Sequence, residues 1–287
     1  MNDFENSDRT ELTDAILKKA LAGDIHAFES LFSEFHGPLK SYLFRLLASR
    51  ADAEDISHDA FIRAFDKLHT YRGEASLKTW VFRIATNLAY NLLKQRKRWT
   101  VDATSRAREL VMNDPGLADV ISSTARDSPE ARYEIQEHID TCFTCVSKTL
   151  PLENQVALIL KDVYQFSVAE ICMILASTEG RVKYSLQTAR ATMSEIFDQR
   201  CALVNKNGIC NQCSELNGWF NPKQHEQETR IRDAMTRNPE DAGLYELRLK
   251  LVQAVDPLTS PGNVLQEVLM NCNRLAMGEV AGIARDS

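Results

Sequence analysis

Glycine and proline are scarce in this chain, 11 and 8 of its 287 residues. With so few turn formers and few strand-like alternations, the sequence argues against a sheet-rich fold and for an all-α one. Long hydrophobic runs are missing too. No stretch of 18 or more apolar residues occurs, so nothing reads as a membrane span and no membrane partner is expected. The opening residues, MNDFENSDRTELTD, are acidic and polar, the reverse of a secretory signal, and a cytoplasmic address is expected. What is present is ordinary for a soluble globular protein, 44% hydrophobic and 26% charged residues. The length exceeds the commonest single-domain size, so two or three compact units are expected.

An overall excess of positive charge is also missing. The net charge of −6 argues against a nonspecific nucleic-acid binder. Its distribution is uneven, however. From Phe61 to Trp99 nine Lys/Arg residues face only Asp66 and Glu74, whereas the first sixty residues hold twelve acids and six bases. A basic block on an acidic chain is the footprint of directed binding, with the acidic part turned to something else.

Apolar positions at Ile16, Leu21, Phe28, Leu31, Phe32, Phe35, Leu39, Leu43 and Leu46 predict helix from Leu12 to Leu47. Breaks are expected at Gly23-Asp24 and at Gly37-Pro38. Asp52, Glu54, Asp55 and Asp59 then open a further helix carrying Ile56, Ala60, Phe61, Ala64 and Phe65. Acids in a first turn suit the helix dipole and also suit a binding face. Next, Tyr71-Arg72-Gly73 leads into a helix from Val81 to Arg98. There Tyr71, Trp80, Phe82, Tyr90 and Trp99 are interleaved with Arg72, Lys78, Arg83, Lys94, Arg96, Lys97 and Arg98. Cations that track phosphates beside aromatic faces that stack on bases are the combination that holds single-stranded DNA. Phe82 reads as core, and Trp80 and Tyr71 as the exposed rings.

A second pattern lies further on. Pro151 opens a helix with Val156, Leu158, Ile159, Leu160 and Val163 inside. Ser167-Val-Ala-Glu170 is a capping box, Ile171, Ile174 and Leu175 form a short buried stripe, and Ala176-Ser-Thr178 is a turn. Glu179 to Ser194 completes a helix-turn-helix with Val182, Leu186, Ala189 and Met193 inward. Arg181, Lys183, Tyr184, Gln187 and Arg190 are left outward, able to reach base edges and phosphates in a major groove.

The string DAEDISHDAFIRAF followed by YRGEASLKTWVFRIATNLAYNLLKQRKR resembles the second conserved region of bacterial group 4 (extracytoplasmic-function) RNA polymerase sigma factors, over about Leu12 to Arg98. The string LPLENQVALILKDVYQFSVAEICMILASTEGRVKYSLQTARATM resembles their fourth region. The resemblance implies that Asp52, Glu54, Asp55 and Asp59 meet the β′ clamp of core polymerase, with the β flap as a second docking point. It also implies that Tyr71 to Trp80, Arg83, Asn87 and Lys94 to Arg98 capture the melted −10 element, and that the helix-turn-helix reads the −35 element. An anti-sigma protein is a further implied partner. Four residues depart from the pattern. Phe65 stands where Trp is frequent, Ser185 and Thr188 where bases are frequent, and Ala176 where Gly is common.

Seven cysteines in a cytoplasmic protein point away from structural disulfides and toward metal or redox chemistry. Cys142-x2-Cys145 and Cys210-x2-Cys213 have ligand spacing, with His138 before the first pair and Cys201 before the second. His138-x3-Cys142-x2-Cys145 resembles the ligand motif of zinc-binding anti-sigma factors. No cofactor is required by the readings above, and zinc is the candidate for these six residues. Unliganded buried thiols are the competing reading.

These signals divide the chain into a region-2-like domain (1–100), a flexible polar linker with one short helix (101–137), a helix-turn-helix domain with cysteine-rich flanks (138–223) and a helical extension (224–287). Helices are expected there at Glu226–Arg237, Ala242–Val255 and Val264–Met277. Promoter-directed transcription initiation, without enzymatic activity, is the function implied. A stand-alone helix-turn-helix regulator with a zinc- or redox-responsive site is the alternative, and a thiol oxidoreductase lacks the βαβ context it needs.

Overall fold

The computed structural model describes residues 2–127, 133–203, 205–221, 226–236 and 244–283, with side chains from Leu12 onward. Fourteen α-helices and no strand occur among these residues, and one isolated bridge joins Cys201 to Cys210. Helices α1 (Asn2–Leu21), α2 (Ile25–Leu47), α3 (Arg50–Asp66) and α4 (Leu77–Leu93) pack as one bundle. Asp24 caps α2 by accepting from the amides of His26 and Ala27 at 2.9 and 3.1 Å. The break expected at Gly37-Pro38 is absent, and α2 runs through it. Phe35, Leu39, Tyr42 and Leu43 continue one buried stripe across the proline, and the carbonyl it leaves without a donor belongs to exposed Glu34. Small residues on α3, Ala53, Ser57, Ala60 and Ala64, are fully buried and let it lie close to α2 and α4.

α4 ends at Leu93, not at Arg98 as the periodicity suggests. Trp99 explains the departure. Its ring is buried, Lys148 lies 4.7 Å above it, and its Nε1 donates to Glu279 at 2.7 Å. Burying that ring draws the chain off the helix axis.

The segment expected to be a tether instead forms α5 (Ala103–Asn113) and α6 (Pro115–Asp127). Ala103, Ala107 and Ile121 are buried, and both helices rest on the helix formed far down the chain by Asn263–Ala276, so no local signal predicts their burial. α7 (Ile135–Ser147) follows, then α8 (Leu152–Leu158), which passes through a π turn at Ile159–Val163. α9 (Val168–Leu175) and α10 (Glu179–Arg200) make the helix-turn-helix, α10 running six residues past its expected end. The Ser167–Glu170 capping box is present in both directions. Ala176 closes α9 with φ 48°, a left-handed conformation that suits the glycine common at this position better than alanine.

α11 (Gln212–Phe220) follows, where no helix is expected, and the extension contains α12 (Glu226–Thr236), α13 (Leu244–Gln253) and α14 (Asn263–Ala276), close to the three helices expected there. Arg237, Ala242 and Gly243 lie outside the described residues. One hydrophobic core runs through both halves of the chain and the extension. At its centre the buried Arg45 guanidinium of α2 reaches three other elements. Its Nε donates to Asp140 of α7 at 2.9 Å, Nη1 to the Tyr164 hydroxyl at 2.7 Å, and Nη2 to the Val252 and Val255 carbonyls at 3.2 and 2.7 Å.

Candidate nucleic-acid interface

Ser49 caps α3, which sets Asp52 in its first turn and Glu54, Asp55 and Asp59 on the solvent side. Those last three are exposed. Asp52 is half-buried, 2.9 Å from Arg96 Nη1 and 3.6 Å from Arg274 Nη2. Burial alone would raise its carboxyl, but hydrogen bonds from Arg96 and Ser49 and the two nearby guanidinium charges outweigh it and hold the group below its ordinary value.

The turn before α4 is tightened by Gly73, at φ 70°, and by the Tyr71 hydroxyl donating to the Ala75 carbonyl at 2.7 Å. Tyr71 and Trp80 are half-buried rather than exposed, their ring centroids 5.5 Å apart. They line a cavity of about 300 Å³ together with Arg72, Thr79, Arg83 and, from α9, Met173. Arg72, Arg83, Asn87, Lys94 and Lys97 face solvent. Three other cations expected at this surface turn inward. The Lys78 ammonium sits 4.8 Å from the Phe166 ring centroid, Arg96 holds Asp52, and Arg98 Nη2 donates to Gln155 Oε1 at 2.6 Å. Burial pulls the Arg98 guanidinium down to about 10.

α9 packs on α4, with Thr79 Oγ1 donating to Glu170 at 3.0 Å. α10 projects Arg181, Lys183, Tyr184, Gln187 and Arg190 outward as its periodicity requires, and Tyr184 is 69% exposed. Every cation among them already has an acid. Arg181 pairs with Glu153 at 3.1 Å, Lys183 with Glu179 at 2.6 Å, and Arg190 Nε with Asp162 Oδ2 at 3.0 Å. Asp162 also accepts from the Tyr245 hydroxyl at 2.9 Å. Ser185 is buried, so the absence of a base there costs no phosphate contact: a charge at that position would face the core. Asp162, Arg274 and Tyr245 escape a sequence reading, because nothing local marks a residue whose partner lies tens of positions away.

The six candidate metal ligands split. His138 is fully buried and shares Nδ1 with Gln266 Oε1 at 3.2 Å, and Cys145 donates to the Met270 sulfur at 3.7 Å. Cys201 and Cys210 are bridged through the backbone. Gly208 permits that return, since a Cβ there would lie 2.6 Å from the Ala202 nitrogen. Burial pushes the Cys142 and Cys213 thiols well up, and the other thiols of this corner add to it. Cys201, Cys210 and Cys213 thus act on Cys142, whereas His138 and Cys145 direct hydrogen bonds to Gln266 and Met270, with Cys145 also close to Cys142 and His138 also bonded to Gln212. Among the described residues no group of three or more His, Cys, Asp or Glu side chains is placed to hold a metal ion. None of the described helices is long and apolar enough to cross a membrane.

Residues 31–99 match the family described as Sigma-70 region 2. The chain is 30% identical over 183 residues to the ECF RNA polymerase sigma-E factor of Haemophilus influenzae, covering 63% of this chain and 93% of that protein. It is 26% identical over 182 residues to the RNA polymerase sigma-H factor of Pseudomonas aeruginosa, covering 63% and 91%. It is 29% identical over 180 residues to the ECF RNA polymerase sigma factor SigW of Bacillus subtilis, covering 62% and 92%. These relatives are matched over nearly their whole length, and more than a third of this chain lies outside each match.

Proposed function

Because the chain belongs to the extracytoplasmic-function family of RNA polymerase sigma factors, we propose that its two promoter-reading surfaces are the turn before α4 and the outer face of α10. As a member of that family it serves promoter-specific transcription initiation and is not an enzyme.

The finer assignment is this. Glu54, Asp55 and Asp59, with Asp52 at the edge, meet the β′ clamp, and the helix-turn-helix domain docks on the β flap. Arg72, Arg83, Asn87, Lys94 and Lys97 follow the phosphates of the unpaired −10 strand, and a base enters the Tyr71–Trp80 cavity. Arg181, Lys183, Tyr184, Gln187 and Arg190 read the −35 duplex. The cytoplasm is its place of work, and an anti-sigma protein is a further candidate partner. One observation carries the −10 reading: a cavity of about 300 Å³ walled by two aromatic rings and rimmed by Arg72 and Arg83. Aromatic faces beside cations are what a splayed base requires.

Run-off transcription with bacterial core RNA polymerase on a library of promoter fragments tests the assignment. Promoter-selective transcripts that need this chain support it. Duplex binding with no core-dependent initiation would favour the stand-alone regulator instead, under which α3 and the Tyr71–Trp80 turn have no task.

A further inference from the structure

The N-terminal end of α3 is already engaged from within the chain, while Glu54, Asp55 and Asp59 stay exposed beyond it. α14 lies so that Arg274 reaches Asp52 at 3.6 Å, and Glu267 accepts from Arg50 Nε at 2.6 Å one turn away. The loop before α14 is fastened to the same unit, with Ser41 Oγ of α2 donating to Asp256 Oδ1 at 2.8 Å. The residues after α14 continue the contact. Glu279, itself 5% exposed in its side chain, takes the Trp99 indole at 2.7 Å and the Lys148 ammonium at 3.1 Å. α13 holds the other unit, where Tyr245 shares Asp162 with Arg190 of the recognition helix.

These are not loose surface pairs. Lys148 is 1% exposed, and with the extension gone its ammonium would keep the Leu47 carbonyl and the Trp99 ring but no carboxylate. A buried ammonium stripped of its carboxylate is costly, which favours the seated extension. Arg45 would likewise lose two of its four hydrogen bonds, those to the Val252 and Val255 carbonyls. The extension therefore ties both halves of the chain at the residues whose freedom recognition requires.

We propose that residues 244–279 are a cis-acting occupant of the polymerase-facing surface, so that the isolated chain is closed and core RNA polymerase binds it only after α14 has left α3. This rests on the sigma-factor reading. The mechanism is competitive. Asp52 cannot serve Arg274 and a clamp residue at once, and α14 stands against the N-terminal end of α3 where the clamp would approach. The apparent affinity for core enzyme is then the intrinsic affinity scaled down by the fraction of open chain.

Hydrogen–deuterium exchange on the full-length chain, free and with excess core RNA polymerase, reads this directly. Amides of 263–276 exchange at least about tenfold faster when core is bound, while those of 50–66 slow down. In parallel, Arg274→Gln with Glu267→Gln, which leaves the acids of α3 in place, tightens core binding about tenfold. Circular dichroism confirms that the doubly substituted chain remains folded. Core binding with unchanged protection of α14 overturns the inference and leaves the sigma-factor reading intact. So does equal core affinity of the folded variant and the unaltered chain. If neither chain binds core polymerase, the sigma-factor reading fails and the inference fails with it.

Discussion

Arg45 Nε and Asp140 Oδ1 lie 2.9 Å apart although 95 residues separate them in sequence, and both side chains are nearly fully buried. The pair joins α2 to α7 and so links the two halves of the chain through their shared core. Burial raises the Asp140 carboxyl and Arg45 opposes that effect. Arg45→Met leaves an uncompensated carboxylate and two orphaned carbonyls. It is expected to destabilise the fold by about 3–5 kcal/mol, read as a lower midpoint in urea. Adding Asp140→Leu recovers part of that loss, and a double variant no better than the single one would contradict the pairing.

Ala176 sits in the left-handed region at the end of α9, where a Cβ crowds the following carbonyl. Ala176→Gly removes that crowding and stabilises the helix-turn-helix by about 1 kcal/mol. Thermal melting checks this, with a rise in Tm of a few degrees expected. An unchanged or lowered Tm would mean the turn is not strained.

His138 is buried against Gln266 and the Tyr133 ring, and burial pulls it down from 6.5 to about 4 although its hydrogen bonds to Gln266 and Gln212 oppose that shift. Its value in the fold lies below that in the unfolded chain, so the neutral ring is the one the fold accepts. This contribution is complete above about pH 6.5 and is lost as pH falls toward 4, amounting to about 3 kcal/mol. His138→Gln flattens the acid limb of the stability curve. A limb of unaltered steepness would assign it to carboxyls held below their ordinary values in the fold, such as Asp52 and Glu170.

Trp80 forms one wall of the cavity beside Tyr71. Trp80→Ala weakens open-complex formation by about 1–3 kcal/mol, the worth of one stacked base, and leaves duplex binding by α10 nearly untouched. Permanganate footprinting and duplex gel shifts separate the two steps. Equal loss in both assays would remove Trp80 from strand capture.

Local chemistry is readable in the sequence, and distant pairing is not. The Ser167–Glu170 capping box and the outward set on α10 depend on residues three or four positions apart, and both stand where the spacing places them. The acidic run on α3 is equally local. By contrast, Gly37-Pro38 reads as a break because only its own propensity is visible, while the buried stripe that overrides it extends on both sides. Residues 103–127 read as a tether because their partner, α14, is far down the chain. The cysteine spacing suggests a single six-residue set. Only packing reveals that His138 and Cys145 point to Gln266 and Met270.

The pairing of Arg181, Lys183 and Arg190 with acids alters what promoter binding exchanges with the solvent. When Arg181, Lys183 and Arg190 move from Glu153, Glu179 and Asp162 to phosphates, the DNA sheds condensed counterions but the freed carboxylates gather sodium or potassium in their place. Net ion release is smaller than three contacts would give. On the proposed −35 reading, duplex affinity therefore falls less steeply with added potassium chloride than a count of basic residues implies, and a titration across ionic strength reports how many of those acids let go.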